Sequence, residues 1–237
     1  MTPQPPEALD ALFRLIDLLG VLGNAVLGGA LARRARLDLV GLGTLAILSG
    51  LGGGLIRDTL LQQGTPVALT DYAYIATALA GAGIAFLLEV EGRGWHRTYL
   101  VVDALALGCW AAAGAQKTLD AGLGWLPAVL LGAITAVGGG TVRDLVLGRR
   151  PGIFGGPLYA TCALVASGVM VLLDQLGHPS AGLVATTATG AGLTLLARWR
   201  GWQLPEPPGW QPASVMRRYS ASRRGRRGDR GRNDPVQ

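Results

Sequence analysis

Two heptapeptides set charge beside bare backbone: Gly52-Gly53-Gly54-Leu55-Ile56-Arg57-Asp58 and Gly138-Gly139-Gly140-Thr141-Val142-Arg143-Asp144. Three glycines in a row cost a helix roughly 1 kcal/mol each relative to alanine. They also leave carbonyls open to a neighbouring helix or to water. Two readings of the triplets stand at this point. One is a kinked site at membrane depth, where protein or water satisfies the freed groups. The other is close packing through small residues, as in Gly50-xxx-Gly54, Gly132-xxx-Ala136-xxx-Gly140 and Gly182-xxx-Thr186-xxx-Gly190. Asp17 and Asp103 add two carboxylates inside apolar runs, and Lys117 is the one lysine of the chain.

Other chemistries find little support in these residues. A dinucleotide fingerprint needs a preceding strand and G-x-G-x-x-G spacing, whereas Gly50-Leu51-Gly52 is followed by Gly54 inside an apolar run. His96 and His178 are far apart, with no Cys or carboxylate at ligand spacing, so neither a metal site nor another cofactor is expected. Cys109 and Cys162 sit in apolar runs, which excludes a disulfide framework. No nucleophile–base constellation is visible, so an enzyme is not expected.

The elements that must position these charges are long apolar segments. A bilayer core of about 30 Å needs roughly 20 apolar residues in a helix. Seven runs approach that length: Leu9–Leu31, Leu39–Leu61, Tyr72–Val90, Tyr99–Lys117, Trp125–Leu147, Leu158–Leu173 and Ala181–Trp199. A soluble bundle would show charged stripes at the 3.6-residue period, and these runs have none. The predicted class is therefore an all-α membrane protein with seven transmembrane helices. The N-terminus carries no basic residue, so no cleavable signal is expected. Arg33, Arg34 and Arg36 follow the first run, Arg93 and Arg97 the third, and Arg149 and Arg150 the fifth. Every second loop is basic, which predicts an outside N-terminus and a cytoplasmic C-terminus. Trp95, Trp125, Trp199 and Trp202 fall near predicted helix ends, at headgroup level.

The two heptapeptides lie 86 residues apart, and the same offset maps Asp17 onto Asp103 and Gly28 onto Gly114. Register fades near Pro66 and Pro151, which need a one-residue shift. Each copy holds three spans, an odd number, so the second enters the membrane from the opposite side. The chain thus reads as two inverted repeats (about 9–90 and 99–173) with a seventh helix at 181–199, a membrane domain over 1–200. Inverted repeats commonly carry a working site near their pseudo-two-fold axis.

Charge inside an apolar bundle pairs or lines water. Similar depth predicts the pairs Asp17–Arg57 and Asp103–Arg143, since neighbours such as Arg57 and Asp58 point about 100° apart on a helix. Asp58 and Asp144, each near a helix C-terminus, are then candidates for the mouths of a central path or for anchoring a loop. Lys117 reads by default as a snorkelling anchor. Glu89 and Glu91 read as solvated.

The formal net charge of +6 is concentrated at one end. From Arg198 onward ten Arg oppose three acids, leaving the first 197 residues at −1. Residues 203–237, rich in Pro, Arg and Gly, are expected to be a disordered cytoplasmic tail. Anionic lipid is its expected partner, and nucleic acid is not.

The two GGGxxRD copies, Asp17 and Asp103, the Gly-Ala-Gln-Lys stretch at 114–117, and Pro66, Tyr74, Pro151 and Tyr159 resemble the prokaryotic branch of the trimeric intracellular cation (TRIC) channel family, also catalogued as a glycine transporter-like domain family. The resemblance covers roughly residues 8–200. It implies a homotrimer in a prokaryotic plasma membrane, with a pore in each protomer lined by kinked second and fifth runs. The glycine triplets would form its constriction. It also implies potassium, with sodium, as the permeant ion, and Lys117 as the candidate for pore control. An inverted repeat equally suits a secondary transporter of a small solute such as glycine, and a membrane scaffold remains a third reading.

Overall fold

The computed structural model describes residues 7–88, 93–154 and 158–202. Eight α-helices follow in order: α1 (Glu7–Arg34), α2 (Leu39–Leu61), α3 (Val67–Thr70), α4 (Tyr72–Leu87), α5 (Arg93–Asp120), α6 (Trp125–Val146), α7 (Tyr159–Gln175) and α8 (Pro179–Arg200), with a 3-10 turn at Gly152–Phe154. The seven predicted runs correspond to α1, α2, α4, α5, α6, α7 and α8. Glu89, Glu91, the side chains of Arg93, Trp95 and His96, and the expected tail at 203–237 lie outside the described residues.

Five helices carry windows of mean hydropathy between 1.3 and 1.9 and are long enough to cross a bilayer. The shorter pair, α4 with 16 residues and α7 with 17, spans only about 24–26 Å at 1.5 Å per residue. Each is preceded by a small element, α3 or the 3-10 turn. Large apolar side chains such as Val40, Tyr72, Leu87 and Trp199 are exposed around the bundle, as a surface facing lipid requires. Trp125 and Trp199 are exposed at helix ends.

Local sequence sets the helix ends. Asp38 caps α2, its Oδ1 accepting the Gly41 N–H at 2.7 Å, and Asp71 caps α4 through the Ala73 N–H at 3.0 Å. Pro179 opens α8, where its missing N–H costs nothing, and Gly201 closes it at φ 64°. Within the bundle, the hydroxyls of Thr118, Thr141, Ser167 and Thr187 return to carbonyls four residues back. Their polarity is thereby satisfied without water.

The helices α1, α2 and α4 pack on one another, as do α5, α6 and α7, while α8 packs on α5 and α7. The two three-helix repeats meet chiefly where α2 crosses α6. This crossing is backbone on backbone. A Cβ on Gly53 would run into the Thr135 carbonyl oxygen, and one on Gly139 into the Ser49 carbonyl oxygen. Ser49 and Thr135 are themselves 86 residues apart, so the contact is reciprocal, as a two-fold relation requires. A Cβ on Gly52 would lie 3.2 Å from the Gly139 Cα, and one on Gly138 would lie 2.9 Å from the Gly53 Cα.

Two of the three glycines in each triplet therefore serve packing. The third, Gly54 or Gly140, meets only the Arg57 or Arg143 guanidinium. Both α2 and α6 stay helical through their triplets. Close approach at a buried crossing explains the glycines without unwinding.

Gly53→Val and Gly139→Val should each destabilise the protein by about 1–3 kcal/mol, the usual cost of overpacking, read as a lower midpoint in detergent thermal unfolding. Gly54→Ala, with open space for the methyl, should not destabilise and should gain up to about 1 kcal/mol from helix propensity.

Candidate functional site

The two repeats frame two cavities. The first, with a volume of about 50 Å³, is lined by Asp17, Gly53, Gly54, Arg57, Asp58, Val67, Tyr74 and Trp110. The second, with a volume of about 160 Å³, is lined by Asn24, Trp110, Gly140, Arg143, Asp144, Gly152, Tyr159 and Arg198 together with Asp103. Their linings correspond through the repeat: Gly54 to Gly140, Arg57 to Arg143, Asp58 to Asp144, Asp17 to Asp103, and Tyr74 to Tyr159 after the one-residue shift. Each cavity is thus a vestibule of one repeat, and the two approach the α2–α6 crossing from opposite ends.

The predicted ion pairs do not form. Arg57 binds its own neighbour, with Nε 2.7 Å from Asp58 Oδ1, and Arg143 Nε lies 3.0 Å from Asp144 Oδ1. An arginine stem is long enough to fold back onto the next residue, so the 100° between adjacent side chains is no barrier. A carboxylate in the last turn of a helix faces the negative end of its dipole, and the adjacent guanidinium offsets this. The second oxygen of each carboxylate ties down the following loop. Asp58 Oδ2 accepts the Val67 N–H at 3.0 Å, and Asp144 Oδ2 accepts the Gly152 N–H at 3.3 Å. Both carboxylates are therefore anchors for a segment that also lines the vestibule.

The inner carboxylates find other partners. Asp17 accepts the Tyr74 hydroxyl at 2.5 Å and the Trp110 Nε1–H at 2.6 Å. Asp103 accepts the Tyr159 hydroxyl at 3.0 Å and pairs with Arg198 Nη2 at 2.7 Å. The Arg198 guanidinium also lies over the Tyr159 ring, 5.4 Å from its centre. Arg198, inside the predicted seventh run, thus turns its charge into the folded bundle.

Lys117 also departs from expectation. Its Nζ sits 2.8 Å from Asp58 Oδ1, with the side chain about one-third exposed, so it closes on the first vestibule and does not snorkel outward. At the same end, Arg14 pairs with Asp71 at 2.7 Å and ties α1 to the start of α4.

The structure brings Asp17, Gly53, Gly54, Arg57 and Asp58 to one vestibule, and Asp103, Gly140, Arg143 and Asp144 to the other. Gly52 and Gly138 lie at the crossing between them. Trp110, Asn24 and Arg14 are absent from the sequence reading, and Arg198 enters it only through the charge count. The offset of 86 offers a signal for the first two, since it aligns Asn24 with Trp110, two polar-tipped residues in mid-run. Among the described residues, no group of three or more His, Cys, Asp or Glu is placed to hold a metal ion.

Comparison with known proteins agrees with this geometry. The family model described as Glycine transporter matches twice, over residues 14–89 and 100–175, which are the two repeats. A UPF0126 membrane protein of Deinococcus radiodurans is 38% identical over 78% of this chain and 85% of the relative. The UPF0126 inner membrane protein YadS of Escherichia coli is 31% identical over 81% of this chain and 93% of its own length. Among solved structures, one described as the structural basis for conductance through TRIC cation channels is 31% identical, with a TM-score of 0.77 over 82% of this chain and 97% of that one. The TRIC trimeric intracellular cation channel orthologue from Rhodobacter sphaeroides is 31% identical, with a TM-score of 0.73 over 81% of this chain and 99% of that one. An inverted pair of glycine-crossed three-helix repeats with a seventh helix, matched repeat by repeat, makes this integral membrane protein a member of the Glycine transporter (UPF0126) family, with the fold of the prokaryotic TRIC channels.

Proposed function

We propose that the protein is a monovalent cation channel whose path runs through both vestibules of one protomer and past the α2–α6 crossing. The observation that carries this reading is the pair of charged vestibules meeting at bare backbone. Each offers carboxylates at a mouth and deeper within, and between them lie glycines whose missing side chains leave carbonyls near the axis. Likeness at 31% identity to structures described as TRIC cation channels supports the same activity. Potassium, with sodium also admitted, is the permeant ion, and the protomers assemble as a homotrimer. The loop arginines set the first vestibule toward the outside and the second toward the cytoplasm.

In the arrangement described, every vestibule carboxylate already has a partner. Asp58 carries Arg57 and Lys117, Asp144 carries Arg143, and Asp103 carries Arg198. The formal charges of each vestibule balance, so a passing cation meets no unpaired carboxylate. This is a resting state, and Lys117 controls it because, among the described residues, it is the charged side chain that pairs with a mouth carboxylate from a different helix.

A secondary transporter of glycine is the competing reading, favoured by the family's description. Purified protein in a planar bilayer separates the two. Unitary potassium currents are the expected outcome, and saturable glycine flux without such currents would replace the channel by the transporter. Lys117→Ala should raise potassium flux about fivefold to tenfold, equivalent to about 1–1.4 kcal/mol of lost resting-state contact. Asp58→Ala should speed hydrogen exchange at the Val67 amide by at least tenfold, because its acceptor is gone, whereas Lys117→Ala should leave that amide protected.

A further inference from the structure

We infer that the indole of Trp110 is the septum between the two vestibules and that Asp17 holds it in place. The inference rests on the conduction reading above. Among the described residues, Trp110 is the one that lines both cavities. It packs at once against the apolar cluster of the first repeat and that of the second. Its Nε1–H donates to Asp17 Oδ1 at 2.6 Å, and the other oxygen of that carboxylate takes the Tyr74 hydroxyl at 2.5 Å. The carboxylate is thus fixed from two directions and in turn fixes the ring. On α1, a Cβ at Gly20 would lie 2.5 Å from the Ala106 Cβ and 3.1 Å from Trp110 Cζ2, so α1 and α5 meet closely beside the ring.

The septum is also where the two-fold relation breaks. The residue matching Trp110 in the first repeat is Asn24, whose amide is buried and donates to the Gly20 carbonyl of its own helix at 3.2 Å. A bulky ring with a polar tip therefore enters the axis from one repeat only. Gly54 and Gly140, the open glycines that line the two cavities, have no side chain to close a passage between them. A single indole, broad and rigid with one donor, supplies the closure, and its hydrogen bond to a carboxylate gives the closed position a defined angle.

The test uses accessibility and does not depend on ion flux. With Cys109 and Cys162 replaced by alanine, single cysteines are placed at Ala113 in the first vestibule and Val137 in the second. Intact cells are exposed to a permanently charged, membrane-impermeant thiol reagent. With Trp110 present, one of the two cysteines should react and the other should stay protected, whichever way the chain is oriented. With Trp110→Ala the protected site should react more than tenfold faster, and with Trp110→Phe it should stay protected because the ring remains. If Trp110→Ala does not yield folded protein, Trp110→Val makes the same comparison. Reaction at both sites, or at neither, with Trp110 present would overturn the septum, as would continued protection after its truncation. Absence of potassium currents alongside the expected labelling would instead count against the channel reading and leave the septum standing.

Discussion

The contact on which the rest of this molecule depends is the crossing of α2 and α6 at their glycine triplets. Helix axes normally pack 8–10 Å apart, a distance set by the side chains between them. Here one backbone rests on the other, with the Gly138 position 2.9 Å from the Gly53 Cα once a Cβ is imagined. In lipid, where burial of apolar surface does not drive helices together, such close approach is a principal source of association. Because the same residues of both repeats make the contact, it fixes the pseudo-two-fold axis. The two vestibules, their anchored loops and the short α4 and α7 are arranged about that axis.

The charges follow a second constraint, that an ion in an apolar bundle must be partnered. Each repeat solves the mouth in the same way, with an arginine folded onto the following aspartate and that aspartate holding a loop amide. The deeper carboxylates differ. Asp17 is satisfied by two neutral donors, from α4 and α5, whereas Asp103 takes an arginine from α8, the helix with no counterpart in the first repeat. Lys117 likewise has no equivalent, since the residue 86 positions earlier is Leu31. A symmetric frame thus carries asymmetric fittings, and these are the residues that could give the two ends different behaviour.

Most of the frame was legible in the sequence because its signals are local or repeated. Apolar length places the seven spanning helices to within a few residues, and α2 begins and ends where the apolar run does. The offset of 86 reveals the repeat, and the odd span count makes it inverted. The short α3 was not legible, because four residues after Pro66 carry no periodicity. Side-chain pairing was misread at Asp17, Arg57, Asp103 and Arg143, because depth along a helix says nothing about azimuth, and a long arginine can choose its neighbour. Arg198, although inside the predicted seventh run, was given no partner because a charge count has no way to see that α8 turns it inward. Trp110 escaped notice because an aromatic within an apolar run is ordinarily core, and only its place between two cavities distinguishes it.

The central claim is that ions travel within each protomer, through the vestibules that the glycine crossing joins. Anomalous diffraction from crystals grown with thallium, an ion close to potassium in size and charge, tests it most directly. Thallium peaks in both vestibules of each protomer, on either side of the crossing, are the predicted result. Vestibules free of thallium, with the ion instead on an axis between protomers, would contradict it.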